Sequence, residues 1–142
     1  MISPRLYGEL RRQWPLTRSP RAAATTLRRL ARAFAVRAWM RRHLGDDLAG
    51  SNRVVYTWWS AAYAVGVALA LGQSSARLVT RAHGFDLYAE QEVVGFVPFQ
   101  RTLMERADAV VSVSQAGADY LRSRYPDLGG RITASYLGVE GP

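Results

Sequence analysis

With 142 residues, 49% of them hydrophobic, the chain is long enough for one domain with a buried core and too apolar to be disordered throughout. It contains no cysteine, which excludes a disulfide scaffold and any thiolate metal site. No stretch reaches the roughly 20 apolar residues that a membrane-spanning helix needs, and the N-terminus lacks the apolar core of a signal peptide. We therefore expect a cytoplasmic protein.

The net charge of +8 is unevenly distributed along the chain. Residues 1–45 hold eleven arginines and a single acid, Glu9, whereas residues 46–142 hold eight arginines and ten acids. This asymmetry indicates that the first third of the chain faces different surroundings from the rest. We treat residues 1–48 as a basic helical N-terminal region.

This region predicts one long helix after an irregular lead-in. Residues 1–20 contain three prolines and little periodicity, and Ser19-Pro20 is typical of a helix start. From Arg21 to Leu44, arginines fall mostly between apolar side chains that recur at steps of three and four, namely Leu27, Leu30, Ala31, Phe34, Ala35, Ala38 and Trp39.

Two interpretations of this helix stay open, and they are compatible. In the first, the apolar stripe packs on a domain core and the arginines face solvent. In the second, residues 21–42 lie on an anionic membrane surface. Nucleic acid is a weaker candidate partner, because no polar or aromatic set for reading bases accompanies the arginines.

The rest of the chain alternates between predicted strands and helices. A loop is expected over 45–52, where adjacent Asp46 and Asp47 lack a third ligand and so predict no metal site. The expected strands span residues 54–59, 78–82, 109–114 and 132–137. The expected helices span 61–71, 96–107 and 115–124, with Ser60 and Ser114 as N-caps of the first and last.

This alternation predicts right-handed crossovers and a parallel sheet, hence an α/β, Rossmann-like fold. The strands are continuously apolar, which is typical of a sheet covered on both faces. Such sheets gather their ligand sites at the carboxyl ends of the strands. Of the two histidines, His43 and His83, only His83 falls at such an edge.

Three motifs at these strand ends resemble a known family. They are Arg81-Ala-His83-Gly84-Phe-Asp86-Leu-Tyr88, then Ala107-Asp108-Ala-Val-Val-Ser-Val-Ser114-Gln-Ala-Gly117, then Tyr136-Leu137-Gly138-Val139. In order and spacing, residues 53–140 resemble the N-terminal, acceptor-side domain of retaining glycosyltransferases of family 4, which have the GT-B fold. The resemblance is to bacterial enzymes that build capsular polysaccharide, exopolysaccharide and lipopolysaccharide, including the colanic acid type.

The resemblance implies a hexosyltransferase that moves sugar from a nucleotide sugar to a glycan or lipid-linked acceptor, with no metal or other cofactor. It implies a catalytic role for His83 near the reaction centre and a hinge to a second domain at Gly138. From their places at the strand ends we also expect Thr57, Trp58, Gly84, Asp86 and Ser114 to bind substrate, with a helix cap as the alternative role of Asp86. Trp58 and Trp59 alternate along the predicted strand, so we expect one in the core and the other stacked on sugar or on a neighbouring domain.

The sequence also departs from the family pattern. The donor-binding domain, with its paired-glutamate motif, is not found, and no glycine-rich first loop is recognisable in residues 1–20. We therefore expect a truncated domain that does not transfer sugar alone. The membrane interpretation of residues 21–42 would place it peripherally on the inner face of the cell membrane. The alternative is a non-catalytic basic α/β binding module that docks a partner chain or an anionic polymer.

Overall fold

A computed structural model describes residues 4–48, 53–72 and 74–138. The strands in this part of the chain are β1 (Val54–Thr57), β2 (Arg77–Ala82), β3 (Ala109–Ser112) and β4 (Ile132–Ala134). The α-helices are α1 (Pro4–Gln13), α2 (Pro20–Leu48), α3 (Ala62–Leu71), α4 (Gly84–Leu87), α5 (Gln100–Arg106) and α6 (Gln115–Arg124). Short 3-10 helices span Trp14–Arg18, Ala89–Gln91 and Pro126–Arg131.

The four strands form one sheet in the order β1-β2-β3-β4, and every neighbouring pair is parallel. This confirms the predicted α/β, Rossmann-like fold. Three strands are shorter than predicted, because the chain leaves the sheet at Thr57, Ser112 and Ala134. At the end of β1, for example, the Ser60 N–H donates to a side-chain carboxylate instead of a neighbouring strand.

Helices cover one face of the sheet, and the described residues leave the other face open. The covered face includes Leu78, Thr80, Ala82, Val110, Ser112 and Ile132, all buried. The open face carries Val54, Tyr56, Arg77, Val79, Arg81, Ala109, Val111 and Thr133, all exposed or half-buried. The prediction of a sheet covered on both faces is therefore wrong for the described part of the chain.

The predicted irregular lead-in is also wrong, because Pro4–Gln13 is helical. Helix α1 is held by a buried carboxylate. Glu9 accepts the backbone N–H of Thr102 at 2.7 Å and that of Arg101 at 3.3 Å, at the start of α5. Its neighbour Leu6 is fully buried in the core. Because only two of its described side chains are buried, and one of them is a glutamate, this helix has little of the apolar periodicity that would predict it from the sequence.

Helix α2 starts as predicted, with the Ser19 hydroxyl accepting the Ala22 N–H at 3.1 Å. It runs on to Leu48, so the loop expected from residue 45 is wrong as far as residue 48, and residues 49–52 lie outside the described part. The predicted apolar stripe is largely wrong as well. Leu30 and Phe34 pack partly against the core, but the other five are exposed: Leu27, Ala31, Ala35, Ala38 and Trp39.

Close contact with α3 explains which side of α2 is buried. The helix buries Ala22, Thr26, Ala33 and Met40 and packs along α3. A Cβ atom added to Gly66 of α3 would lie 2.6 Å from the Ala33 carbonyl oxygen, so the two backbones are in close contact. Close approach of this kind selects for small side chains, and an analysis of large apolar residues misses it.

Two helix starts differ from the predictions. The N-cap of α3 is Ala61, and the Ser60 hydroxyl bonds elsewhere. Helix α5 starts at Gln100 rather than Phe96, because Phe99 has a left-handed backbone conformation with φ of 64°. Among the described helices, none combines the length and apolarity required to cross a membrane.

Candidate functional site

A buried polar network joins the carboxyl ends of β1 and β2. The Thr57 hydroxyl donates to the Thr80 hydroxyl at 2.8 Å. The Ser60 hydroxyl lies 2.9 Å from the same Thr80 oxygen and donates to the Arg81 carbonyl at 3.0 Å. These bonds satisfy the hydroxyls of a strand end that would otherwise bury them without partners. The network forms a rigid floor beneath the strand ends.

Asp86 connects this floor to the turn after β2. The side chain is 3% exposed. Its Oδ1 accepts the His83 backbone N–H and its Oδ2 accepts the Ser60 backbone N–H, each at 2.6 Å. Burial raises the pKa of Asp86, and the two backbone hydrogen bonds oppose that rise. The carboxylate therefore fixes the backbone at both strand ends, and it bonds the backbone N–H of His83 and not its imidazole ring.

Above the floor, four rings form what we call the aromatic cluster: Trp58, Trp59, His83 and Phe85. The His83 ring centroid lies 6.0 Å from that of Trp58, and 6.4 Å from those of Trp59 and Phe85. Trp58 and Trp59 are 51% and 49% exposed, and Phe85 is also exposed. Hence the cluster presents flat apolar faces to solvent at the edge where parallel sheets bind ligands.

His83 supplies the titratable group of the cluster. Its ring is half-buried, and its Nδ1 atom is shielded from solvent and faces the Asp86 backbone N–H in a capping-box arrangement. A neutral imidazole has one donor and one acceptor nitrogen, so Nε2, which makes no hydrogen bond to the described residues, is the ring nitrogen available to a ligand hydroxyl. The expectation that His83 lies at the sheet edge, and not in the packed interior, agrees with this position.

The other predicted substrate-binding residues are placed differently. Thr57 is half-buried and bonded to Thr80. Ser114 caps α6, as expected, with its hydroxyl accepting the Gly117 N–H at 3.1 Å. Gly84 opens α4 without positive φ, and a Cβ atom there would meet only Gln91 Oε1 at 3.8 Å, so the turn does not require glycine. Their roles in substrate binding stay predictions.

Gly138, the predicted hinge, lies in the exposed segment after β4. A Cβ atom added there would find nothing within 4 Å. The hinge role is untested and stays a prediction.

Sequence reasoning missed part of this site. The expectation that Trp58 and Trp59 alternate between core and surface is wrong, since β1 ends at Thr57 and both rings reach His83. Phe85 was not singled out, although it sits between His83 and Asp86 in the sequence. The signal available in the sequence is an aromatic residue directly after the histidine-glycine pair.

The fold is that of a Rossmann-like α/β domain, and the aromatic cluster is a candidate ligand site at the carboxyl edge of its sheet. The sequence model of Glycosyltransferase Family 4 matches residues 2–140, so this chain belongs to that family. The match supports a glycosyltransferase-type N-terminal domain of the GT-B fold, and it includes the basic first third of the chain. Comparisons with curated proteins and with solved structures gave no match.

Proposed function

We propose that this chain is the acceptor-binding half of a glycosyltransferase that moves a sugar from a nucleotide sugar to a glycan or lipid-linked acceptor. The observation that carries the proposal is the half-exposed aromatic cluster around His83, at the carboxyl ends of β1 and β2. Exposed aromatic rings on a rigid polar floor suit the apolar face of a sugar ring. Membership of Glycosyltransferase Family 4 supports a sugar acceptor as the ligand.

Within this proposal the site residues have distinct tasks. His83 hydrogen-bonds a hydroxyl close to the reacting atoms through Nε2, since its Nδ1 is buried against the Asp86 backbone. Trp58 supplies the stacking surface. Asp86 acts as a positioning residue, because its oxygens hold the backbone of Ser60 and His83.

A second domain is needed to hold the nucleotide sugar. The described residues form a single sheet, and the family resemblance assigns the donor to a separate domain. We therefore expect the 142-residue chain to bind acceptor without turnover. Sugar transfer by the isolated chain above background, with a panel of nucleotide sugars, would contradict this part of the proposal.

The outer side of α2 suits a membrane surface, which is where a lipid-linked acceptor would be presented. Helix α2 exposes Leu27, Trp39 and several alanines together with five arginines, which are Arg21, Arg28, Arg32, Arg41 and Arg42. The only acids in α2 are Asp46 and Asp47 in its last turn, and none of these arginines forms an ion pair with a described residue, so this surface carries a net positive charge. Arginine beside exposed tryptophan and leucine is typical of peripheral binding to anionic lipid.

The first experiment measures sugar binding through tryptophan fluorescence, with methyl glycosides and octyl glycosides as probes. Trp58→Ala is expected to weaken binding roughly tenfold, because burying a large apolar side chain is worth about 1.5–3 kcal/mol and the half-exposed Trp58 would bury the rest of its ring against the sugar. Trp39→Ala is the matched control, since Trp39 is 57% exposed but lies on α2. Equal affinity of both variants and the original chain would count against the sugar site.

The second experiment tests the membrane surface. In flotation with phosphatidylcholine vesicles, we expect the protein to bind only when roughly a third of the lipid is phosphatidylglycerol, which is anionic. The double variant Arg32→Gln/Arg42→Gln should release the protein, whereas Arg131→Gln, at the other end of the chain, should not. Binding that is indifferent to anionic lipid would remove the membrane from the proposal.

The alternative, a non-catalytic module that docks a partner chain, is favoured by one observation. Parallel sheets are normally covered on both faces, and the described residues leave Val79 and Val111 on an uncovered face. A helix-bearing partner would bury them. Co-purification with a chain that carries the family's paired-glutamate motif, lost in Val111→Asp, would support this function; unchanged co-purification of the variant would argue against it.

A further inference from the structure

The inference concerns Arg81, which lies on the open face of the sheet two residues before His83. Its Nε donates to the Tyr56 hydroxyl at 2.6 Å and its Nη1 donates to the Ser135 carbonyl at 3.2 Å. Its guanidinium carbon lies 5.4 Å from the centroid of the Trp58 ring. The side chain thus connects β1, β2 and the segment after β4 at the border of the aromatic cluster.

All three partners of this guanidinium are neutral. Among the described residues, no ion pair involves Arg81, whereas arginines elsewhere in the domain, such as Arg101 and Arg122, pair with carboxylates. An arginine carries five N–H donors, and the contacts of Arg81 use two of them. A half-buried, permanently charged group is therefore left without a counter-charge.

The guanidinium of Arg81 is also preorganised for binding. Tyr56 and Ser135 fix two of its nitrogens, and the Trp58 ring lies against it, so little side-chain freedom remains to be lost when a ligand binds. The planar guanidinium fork matches the two oxygens of a phosphate or a carboxylate. Trp58 contacts both Arg81 and His83, so a ligand that stacks on Trp58 reaches both groups.

We propose that Arg81 is an anion-recognition residue, which binds a phosphate or carboxylate group of an acceptor whose sugar ring stacks on Trp58. This rests on the proposed function, because it assigns the sugar to the aromatic cluster. It adds the chemical class of the acceptor, which is an anionic sugar and not a neutral one. The anion is a sugar phosphate, as in a lipid-linked acceptor, or the carboxylate of an acidic sugar.

The test compares four probes by tryptophan fluorescence: methyl glucoside, glucose 1-phosphate, glucuronate and inorganic phosphate. The original chain is expected to bind at least one anionic sugar about tenfold or more tightly than methyl glucoside, as a charge-assisted hydrogen bond allows. Arg81→Gln should abolish that difference and leave methyl glucoside binding unchanged. Preference for glucose 1-phosphate indicates a phosphate group, and preference for glucuronate indicates a carboxylate.

Two further variants serve as controls. Arg77→Gln removes an exposed arginine from the same strand and the same open face, at its other end, and should keep the preference. Arg81→Lys keeps the positive charge but loses the planar guanidinium, so it should retain only part of the preference for anionic sugars. This variant keeps the test valid if Arg81→Gln does not fold.

The outcomes separate the two proposals. Equal affinity for neutral and anionic sugars would overturn the role of Arg81 and leave the sugar site intact. Equal loss in Arg77→Gln and Arg81→Gln would also overturn it, since the effect would then be general charge attraction. Binding of inorganic phosphate without any sugar binding would overturn both this inference and the proposed sugar site.

Discussion

Two buried carboxylates, Glu9 and Asp86, make the same kind of hydrogen bonds in different parts of this molecule. Each accepts two backbone N–H groups, and burial raises the pKa of each. Glu9 joins α1 to the start of α5, 92 residues further along the chain. Asp86 joins the ends of β1 and β2 directly below the exposed aromatic rings.

The difference between them is one of location. Glu9 fixes a helix whose outer side carries arginines, and Asp86 fixes the backbone that carries His83 and the residues after Trp58. The same hydrogen-bonding pattern therefore stabilises the basic region in one case and the candidate site in the other. Removing each carboxylate in turn separates stability from ligand binding.

The largest effects are expected from Asp86→Ala and Glu9→Ala. Each should lower the free energy of unfolding by about 2–4 kcal/mol, because two buried N–H groups lose their acceptor. Thermal and urea unfolding measure this loss. Sugar binding, corrected for the folded fraction, should fall in Asp86→Ala and stay unchanged in Glu9→Ala. Equal binding losses in the two variants would mean that Asp86 has no special connection to the site.

The contact between α2 and α3 gives the next largest effect. Gly66→Ala should destabilise the fold by about 1–3 kcal/mol, since its Cβ atom would overlap Ala33 and Val36. Gly45→Ala is the matched control in α2, where an added Cβ meets nothing within 4 Å. It should stabilise by about 0.5–1 kcal/mol through helix propensity. A destabilising Gly45→Ala would argue against the extension of α2 beyond residue 44.

Ser114 offers a neutral counterpart to the two carboxylates. Ser114→Ala should lower the free energy of unfolding by about 1 kcal/mol, the usual value for an N-cap. Chemical denaturation provides the measurement. If sugar affinity also falls at an unchanged folded fraction, Ser114 has the predicted second role in binding substrate; unchanged affinity would limit it to the cap.

The smallest effects concern pH. The pKa of Glu9 is raised from its ordinary 4.5 by burial, so the folded state holds the proton more firmly than the unfolded state. Its contribution to stability is therefore complete below 4.5 and is lost as the pH rises through the folded pKa. Relative to Glu9→Gln, which does not titrate, the original chain should lose stability as the pH rises above 4.5.

Asp127 should show the opposite slope. A side-chain hydrogen bond from Arg101 lowers its pKa from the ordinary 3.8. Its contribution is present above 3.8 and is lost as the pH falls through the folded pKa. Comparison with Asp127→Asn in acid unfolding curves checks this. If Glu9→Gln and Asp127→Asn changed the pH dependence of stability in the same direction, burial would not be the cause of the raised pKa of Glu9.

The sequence by itself determined the parallel α/β sheet, because four apolar strands alternate with helical segments and each crossover has one favoured hand. It also determined that His83 lies at the carboxyl edge of the sheet, since a strand must end where the histidine-glycine turn begins. The caps at Ser19 and Ser114 were readable for a local reason: each bond spans three residues.

Only the tertiary structure decided which surfaces are buried. Glu9 is buried because α5 offers it two N–H groups from 92 and 93 residues away, and no local pattern encodes that distance. The inner side of α2 is set by contact with Gly66, so small residues are buried there and Trp39 is exposed. A single sequence displays the periodicity of its large apolar side chains but not the long-range contacts between helices. In α2 those contacts decide which side is buried, and they override the periodicity.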